Sequence, residues 1–356
     1  MLRWILYTLD RVFNRPKRPL SNTNEIAHRN IKICFPFIGN KIAGSHISAI
    51  TLVEELRRQN FECHILLHRQ GMLSAYIEKR GISYQILPMN DLIELQSPII
   101  IQVLRSLIWS YKIRRYLRKE RFDIVHTNDL EIHVMWSIAF RFSHTKVLWH
   151  QRNLIGMRRM LVYMLLSDKL ITISYFCKEN IQKFFYQNID VVYNPVEIGE
   201  YDGKKEFSRS LIQSETGWCY YSFYVCMVAN LAPRKRVDIF IETAHIMINK
   251  KKYNVKFVVI GRTDHKIFNN MTAKVREYGI EDSFVFLGPK LDAMSYMAGF
   301  DLLMAPAVGE PFGRTVVEAM NIGVPVVASA DGGHLEIIRD GWNGKLARVN
   351  DPSDFA

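Results

Sequence analysis

The stretch 301–329, DLLMAPAVGEPFGRTVVEAMNIGVPVVAS, decides the fold. It opens on a short apolar run ending at Ala307, passes through a loop that holds Gly309, Pro311 and Gly313, and continues as a helical pattern from about Thr315 to Asn321. Gly323 stops that helix, and the β-branched run PVVAS from Pro325 closes the segment. This is one βαβ unit, with Glu310 on the loop at a strand's carboxyl end and Glu318 in the first helical turn.

Outward from it the same rhythm repeats. Upstream lie FYVCMVAN from Phe223, KFVVIG from Lys256 and FVFLGP from Phe284, and beyond a polar break at 197–216 a second series runs back to the N-terminal region. That series comprises IKICFPF from Ile31, CHILLH from Cys63, FDIVHTN from Phe122, KVLWHQ from Lys146, KLITIS from Lys169 and DVVYNPV from Asp190. The sequence therefore predicts two parallel-sheet α/β domains, 31–200 and 201–356, behind a basic amphipathic lead-in, 1–30. Near-continuous apolar strands imply sheets covered by helices on both faces, and ligands in such folds sit beyond the carboxyl ends of the strands. With two such domains the largest crevice is expected between them.

Composition excludes several classes. A chain of 356 residues that is 48% hydrophobic and 23% charged has the balance of a globular protein. Its five cysteines (Cys34, Cys63, Cys177, Cys219 and Cys226) form no C-x-x-C pair, which argues against a disulfide framework or a zinc site and for a reducing, cytoplasmic compartment. No apolar run reaches the roughly 20 residues of a spanning helix, and no cleavage site follows the opening MLRWILYTLDRVF. The net charge of +12 favours anionic partners. Two stretches pair apolar with basic residues: the lead-in with Arg15, Lys17 and Arg18, and a run holding Arg105, Lys112, Arg114, Arg115, Arg118, Lys119 and Arg121. Either an ordinary solvated helix face or contact with an anionic membrane surface accounts for them.

Motif absences narrow the chemistry. The turn GNKIAGS from Gly39 has the glycine spacing of a phosphate-cradling P-loop but carries Ser45 where that motif needs lysine. No G-x-G-x-x-G follows a strand, and H-E-x-x-H, G-x-S-x-G and Asp-x-Asp are missing, which favours a metal-independent reaction without a redox cofactor. Thr315-x-x-Glu318 has the pattern of a capping box, and taken alone that is the favoured reading of Glu318. Glu310, between Gly309 and Pro311, has no propensity reason to be where it is.

Glu310-Pro311-Phe312-Gly313 through Glu318, with seven residues between the glutamates, followed by GVPVV from Gly323 and GGHLEI from Gly332, resembles the retaining nucleotide-sugar glycosyltransferases of family 4. The resemblance continues through VANLAPRKRVD around Lys235, VVYNPV around Asn194, LITIS ending at Ser174, HQRN at His150, DIVH at His126 and AGSHIS at Gly44. It implies the GT-B fold, two Rossmann-like domains facing a cleft, and transfer of a sugar to a glycan hydroxyl in surface polysaccharide, lipopolysaccharide or capsule biosynthesis. It also implies roles residue by residue. Glu310 contacts donor-sugar hydroxyls, Phe312 and Gly313 offer backbone amides to the donor, Arg314 joins the donor site, and Glu318 holds the ribose hydroxyls. Lys235 is implied on the donor diphosphate, where a fixed ammonium stabilises the departing nucleoside diphosphate without a metal. The family's usual arginine five positions earlier is Asn230 here, so Asn230, Arg234 and Arg236 share candidacy for that role. His150 matches a histidine near the transferred sugar and acceptor, whereas His126 reads as a packing residue. Gly44 matches the second glycine of a family pair whose first place is taken by Ala43.

Family members continue for several helices past the segment matching GWNGKLARVNDPSDFA, so the resemblance implies a C-terminal domain cut short at Ala356. The expected partners are a nucleotide-sugar donor, a glycan or lipid-linked glycan acceptor and an anionic membrane surface, with no nucleic acid. Another GT-B enzyme, an epimerase or a phosphorylase, would share the two sheets. A non-enzymatic basic scaffold would share the charge, but would leave Glu310, Gly313 and Glu318 unexplained.

Overall fold

The computed structural model describes residues 31–89, 98–140, 145–154, 167–182, 189–196, 205–262, 265–290 and 292–356. The predicted lead-in at 1–30 lies outside them. The chain divides into two compact units between Pro195 and Val196.

The first unit is a seven-stranded sheet. Its strands are β1 (Lys32–Phe37), β2 (Glu62–Leu67), β3 (Tyr84–Ile86), β4 (Ile124–Thr127), β5 (Lys146–Gln151), β6 (Lys169–Thr172) and β7 (Asp190–Val191). Between them run α1 (Gly44–Arg58), α2 (Met72–Lys79), α3 (Ile99–Glu120), α4 (Leu130–Phe140) and α5 (Tyr175–Gln182). Every pairing is parallel, in the order β3-β2-β1-β4-β5-β6-β7. Winding therefore reverses between β1 and β4.

The alternation along β1 explains why its whole run is apolar. Ile33, Phe35 and Phe37 enter one buried cluster with Ala49, Ile50 and Val53 of α1, while Cys34 enters the cluster on the other side with Trp136 of α4. A strand buried on both faces has no polar face to show.

The second unit begins with α6 (Lys205–Thr216) and holds a six-stranded sheet. Its strands are β8 (Phe223–Val228), β9 (Val255–Ile260), β10 (Phe284–Gly288), β11 (Leu302–Ala305), β12 (Val326–Ser329) and β13 (Lys345–Ala347). They pair in parallel in the order β10-β9-β8-β11-β12-β13, so winding reverses between β8 and β11. The helices α7 (Val237–His245), α8 (His265–Glu277), α9 (Ala293–Met297), α10 (Arg314–Asn321), α11 (His334–Ile337) and α12 (Pro352–Phe355) complete the unit. Val225 and Met227 face one apolar cluster, Tyr224 and Cys226 the other. Two parallel-sheet α/β units are thus what the apolar runs predicted. Two strands were not predicted, β3 and β13, both at sheet edges and three residues long.

Among the described residues no helix is long and apolar enough to cross a membrane.

A partly buried ion pair latches α6 to the sheet. Arg209 donates from Nη2 to both oxygens of Asp301 at 2.6 Å and from Nη1 to the carbonyl of Ser222 at 3.1 Å. The same carboxylate accepts the Tyr224 amide at 2.9 Å, so it joins the starts of β8 and β11 to the helix. Burial opposes ionisation of Asp301, but these donors outweigh it and hold its pKa below the ordinary carboxylate value. Removing one partner of such a pair strands the other charge. Asp301→Ala is expected to cost about 1.5–3 kcal/mol in urea unfolding, the range for hydrogen bonds to a charged group; a loss under about 1 kcal/mol would mean the latch carries little.

Candidate functional site

In doubly wound sheets the loops at the carboxyl ends of the two strands flanking the reversal splay apart and leave a crevice. In the second unit those strands are β8 and β11, and their loops carry Lys235 and Glu310. The loop after β8 closes in a 3₁₀ turn, Pro233–Lys235, in which proline at the first position presets the backbone. The amide of Val308 donates to the Arg234 carbonyl at 2.8 Å, tying the two loops together.

Glu310 is held between them. Arg234 donates from Nη1 at 2.6 Å and Lys235 from Nζ at 2.7 Å, both to Oε2. Burial would raise the pKa of this carboxyl, but the Lys235 ammonium and then the Arg234 guanidinium outweigh it and pull it down to about 2. The trio sums to one positive charge, with the Arg234 side chain 43% exposed. An anion reaching this crevice would find two cations whose one shared side-chain ligand, among the described residues, is Glu310.

The backbone beneath is fixed by close glycine packing. Gly333 donates its amide to the Glu310 carbonyl at 2.7 Å, and a Cβ on Gly333 would lie 2.5–2.7 Å from three backbone atoms of Phe312. Gly313, at φ +99°, turns the loop into α10, a conformation that side chains with a Cβ rarely adopt. Phe312 is buried in this loop.

Here the structure corrects the capping-box reading. The helix starts at Arg314, with Gly313 as its N-cap and no side-chain capping bond, so Thr315 lies inside the helix and Glu318 in its second turn. Glu318 instead accepts from Arg314 Nε at 2.5 Å, one turn away, with both side chains about 15% exposed. The strand before the loop ends at Ala305, two residues short of the predicted Ala307.

The remaining basic candidates part company. Arg236, at φ +54°, turns to Asp238 (Nη2 to Oδ2, 2.6 Å) and Asn350 rather than to Glu310. Asn230 accepts the Arg262 amide on Oδ1 at 3.4 Å.

Gly44 and His150 belong to the first unit. Gly44 is the first residue of α1 and is not among the glycines with positive φ; the close backbone approach in this turn is made by Gly39, whose Cβ would meet the Arg69 carbonyl oxygen. The first turn of α1, which follows β1, and the loop after β4, again the strands flanking the reversal, are joined by His46 Nε2 and Asp129 Oδ2 at 2.9 Å. His46 Nδ1 accepts the Ala43 amide at 3.0 Å, so Nε2 carries the proton and donates to Asp129.

His150, near the end of β5, is buried and stacked on His126 of β4, with centroids 5.4 Å apart and planes 3° from parallel. Phe35 of β1 covers the other side of His126 at 4.8 Å. Arg152 donates from Nη2 to His150 Nδ1 at 3.1 Å, to Asn128 Oδ1 at 2.9 Å, and from Nη1 to Asn194. A guanidinium can only donate, so Nδ1 is the acceptor and neutral His150 carries its proton on Nε2. Sequence allowed this imidazole to donate or accept; the structure makes Nε2 a donor. That atom and Nε2 of His126 are buried with no hydrogen-bond partner among the described residues. Burial pushes the His150 pKa well below the ordinary imidazole value, with Arg152 and His126 adding to it and the Val192 carbonyl opposing.

Sequence reasoning missed the partners Arg152, Asn128, Asp129 and His46. Their signal was positional: all lie on the carboxyl side of a strand, but nothing in their spacing singles them out. Among the described residues, no three His, Cys, Asp or Glu side chains converge as a metal site would require.

Comparisons with known proteins agree in kind. The family model for glycosyl transferases group 1 matches residues 215–356, and that for glycosyltransferase family 4 matches residues 42–200. A UDP-Gal:alpha-D-GlcNAc-diphosphoundecaprenol alpha-1,3-galactosyltransferase of Escherichia coli is 23% identical, over 92% of this chain and 87% of its own length. An N-acetyl-alpha-D-glucosaminyl L-malate synthase of Bacillus anthracis is 22% identical over 91% and 84%. The crystal structure of the Anabaena protein HepE in complex with UDP and glucose superposes with a TM-score of 0.77 at 21% identity, covering 92% of this chain and 88% of that one. At that identity the likeness is one of fold.

The buried histidines give the first unit a pH signature. Burial lowers the pKa of His126 to about 3 and that of His68 to about 4, against 6.5 for a free imidazole. Below 6.5 the unfolded chain binds protons that the folded one refuses, so stability is fully present above 6.5 and falls as pH drops toward 3. Each such histidine steepens the fall by up to about 1.4 kcal/mol per pH unit. Urea unfolding followed by tryptophan fluorescence at stepped pH is expected to show this slope and a shallower one in His126→Phe; identical slopes would contradict it.

Proposed function

Because the chain belongs to the family 4 glycosyltransferases and has their GT-B fold, we propose that it moves a sugar from a nucleotide-sugar donor to a hydroxyl of a glycan acceptor, with retention at the anomeric carbon. The observation that carries this reading is the Glu310 carboxylate joined to Lys235 and Arg234 where the second sheet reverses its winding. A diphosphate competes for the two cations, and the carboxylate they release accepts hydrogen bonds from adjacent sugar hydroxyls. Glu318, Arg314, Phe312 and Gly313 are assigned to the same donor, with Glu318 on the ribose. The UDP bound to the Anabaena protein of like fold supports a nucleotide donor.

In the proposed step the acceptor oxygen forms its bond to the anomeric carbon on the face from which the nucleoside diphosphate departs. The carbon–oxygen bond to phosphate breaks, and the acceptor's hydroxyl proton passes to the leaving phosphate oxygen. Lys235 meets the charge growing on that oxygen, a stabilisation worth about 10²–10³ in rate for a well-placed donor. No metal is assigned a part. His150 is assigned as a hydrogen-bond donor from Nε2 to a hydroxyl of the sugar or acceptor.

The acceptor is assigned to surface-glycan assembly, a lipid-linked glycan included, a reading supported by the diphosphoundecaprenol-linked substrate in the name of the Escherichia coli relative. A cytoplasmic setting is supported by five cysteines that are all free.

The test is transfer from a panel of nucleotide sugars, with and without EDTA, and proton NMR of the product's anomeric centre. The expected result is an α-configured product from an α-linked donor, undiminished by EDTA, with turnover at least about a hundredfold lower in Glu310→Gln. Inversion, or near-normal turnover in that variant, would overturn the assignment.

A further inference from the structure

The loop between β12 and α11 holds a titratable side chain against the donor loop that no step above uses. Its two glycines lie on the backbone of the Glu310 loop: a Cβ on Gly332 would come within 2.5 Å of the Glu310 carbonyl oxygen, and one on Gly333 within 2.5 Å of the Phe312 carbonyl oxygen. Packing of this kind fixes the next residue, His334, which is 1% exposed. The edge of its ring lies on Gly313, where a Cβ would meet Cδ2 at 2.9 Å and Nε2 at 3.5 Å. Gly313 is the N-cap of α10, so the imidazole borders the turn whose backbone is assigned to the donor.

One hydrogen bond settles which nitrogen carries the proton. Nδ1 lies 3.2 Å from the Ser329 carbonyl at the end of β12, and a carbonyl can only accept, so Nδ1 donates and Nε2 keeps the lone pair. The charges that act on the ring come from three loops. Burial opposes the imidazolium most strongly, Glu310 and the Ser329 carbonyl favour it, Lys235 opposes it and Asp331 favours it, and the balance leaves the pKa below the ordinary imidazole value. Asp331 is itself held in place, accepting the Gly309 amide at 2.5 Å. On α10 the charges of Arg314 and Glu318 answer each other, and on α11 Glu336 lies two residues further along. As long as Lys235 and Arg234 both stay on Glu310, His334 is neutral at pH 7.

A diphosphate changes that balance twice. It brings two negative charges to the loop beside the ring, and by competing for Lys235 and Arg234 it leaves the Glu310 carboxylate freer to act on His334. Both changes favour the charged ring. We propose that His334 is the proton-linked member of the donor site: it takes a proton from solvent on Nε2 as a nucleotide sugar binds, and the imidazolium adds a third cation to the surroundings of the diphosphate. The inference rests on the donor reading of this crevice and adds to it a residue and a pH dependence. Binding and protonation are reciprocal, so a donor that raises the proton affinity of His334 is itself held more tightly as protons become available. The sign is therefore fixed: donor affinity is lowest above the imidazole range and rises as pH falls through it.

The experiment is calorimetric titration of the full chain with UDP-glucose, GDP-mannose and ADP-glucose at pH 6.0, in MES and in bis-Tris, buffers whose heats of ionisation differ. Nucleotide sugars are the probes because a terminal phosphate titrates at about pH 6 by itself. For the conjugate that binds, the measured heat is expected to differ between the buffers in proportion to the protons taken up. Its affinity is expected to rise at least about threefold from pH 7.5 to pH 6.0, against a ceiling of about tenfold per pH unit for one whole proton. In His334→Gln, which keeps a side-chain N–H for the Ser329 carbonyl, both dependences are expected to vanish. Proton NMR of the imidazoles of the wild-type chain reads the same event without a substitution in the loop: one ring is expected to titrate at least about one pH unit higher with the conjugate bound. Binding with equal heat in both buffers and no shifted ring would overturn the proposal, as would proton uptake that persists in folded His334→Gln. Either result leaves the donor reading standing, whereas binding of none of the three conjugates would overturn both.

Discussion

A carboxylate buried to the degree of Glu310 is ionised only because two cations reach it, and much of the second unit is arranged to keep them there. Lys235 and Arg234 come from the loop after β8, Glu310 from the loop after β11, and these are the neighbouring strands between which the winding reverses. The Val308 amide on the Arg234 carbonyl and the Gly333 amide on the Glu310 carbonyl hold the backbone at both ends of the contact. The glycines at 313 and 333 are needed because the loop turns through a left-handed conformation and lies against another backbone too closely for a Cβ. The fold thus supplies the crevice and the ion pair supplies its chemistry, a fixed negative acceptor beside two cations that can be shared with an incoming anion.

The first unit repeats the geometry with different chemistry. Its reversal lies between β1 and β4, and there the start of α1 meets the loop after β4 through His46 and Asp129. One strand further along, Arg152 gathers Asn128, Asn194 and His150. The consequence for His150 is electronic as well as positional. Because a guanidinium occupies the Nδ1 lone pair, the proton is confined to Nε2, and burial keeps the ring neutral. A histidine so held offers a hydrogen bond over the whole physiological range and takes no proton, which suits it to positioning a hydroxyl and not to general base chemistry.

Most of the fold was legible because parallel strands buried on both faces write themselves as short apolar runs, and eleven such runs were visible. The strands that escaped, Tyr84–Ile86 and Lys345–Ala347, lie at sheet edges, where three residues and a half-solvated face leave no run to see. Glu310, Lys235 and Gly313 were singled out by their motifs, and the structure brings Lys235 onto Glu310 and places Gly313 at the N-cap of α10. The capping-box reading of Glu318 failed because such spacing says nothing of where the helix begins; a glycine N-cap moved the start one residue earlier and turned Glu318 to Arg314. Arg234 and Arg236, which flank Lys235, could not be told apart in sequence, yet the left-handed turn at Arg236 sends it to Asp238 and leaves Arg234 beside Lys235 on Glu310. Arg152, Asn128 and Asn194 come from three separate segments and meet only when the sheet assembles, so no local pattern announces them.

The cations on Glu310 are proposed to hold the diphosphate of a nucleotide-sugar donor. Calorimetric titration of the full chain with UDP, GDP and ADP, repeated on Lys235→Ala, tests it most directly. One of the three is expected to bind without added metal, with an affinity at least tenfold lower in the variant, about 1.4 kcal/mol. Binding of equal strength in wild type and variant, or heat from none of the three, would contradict it.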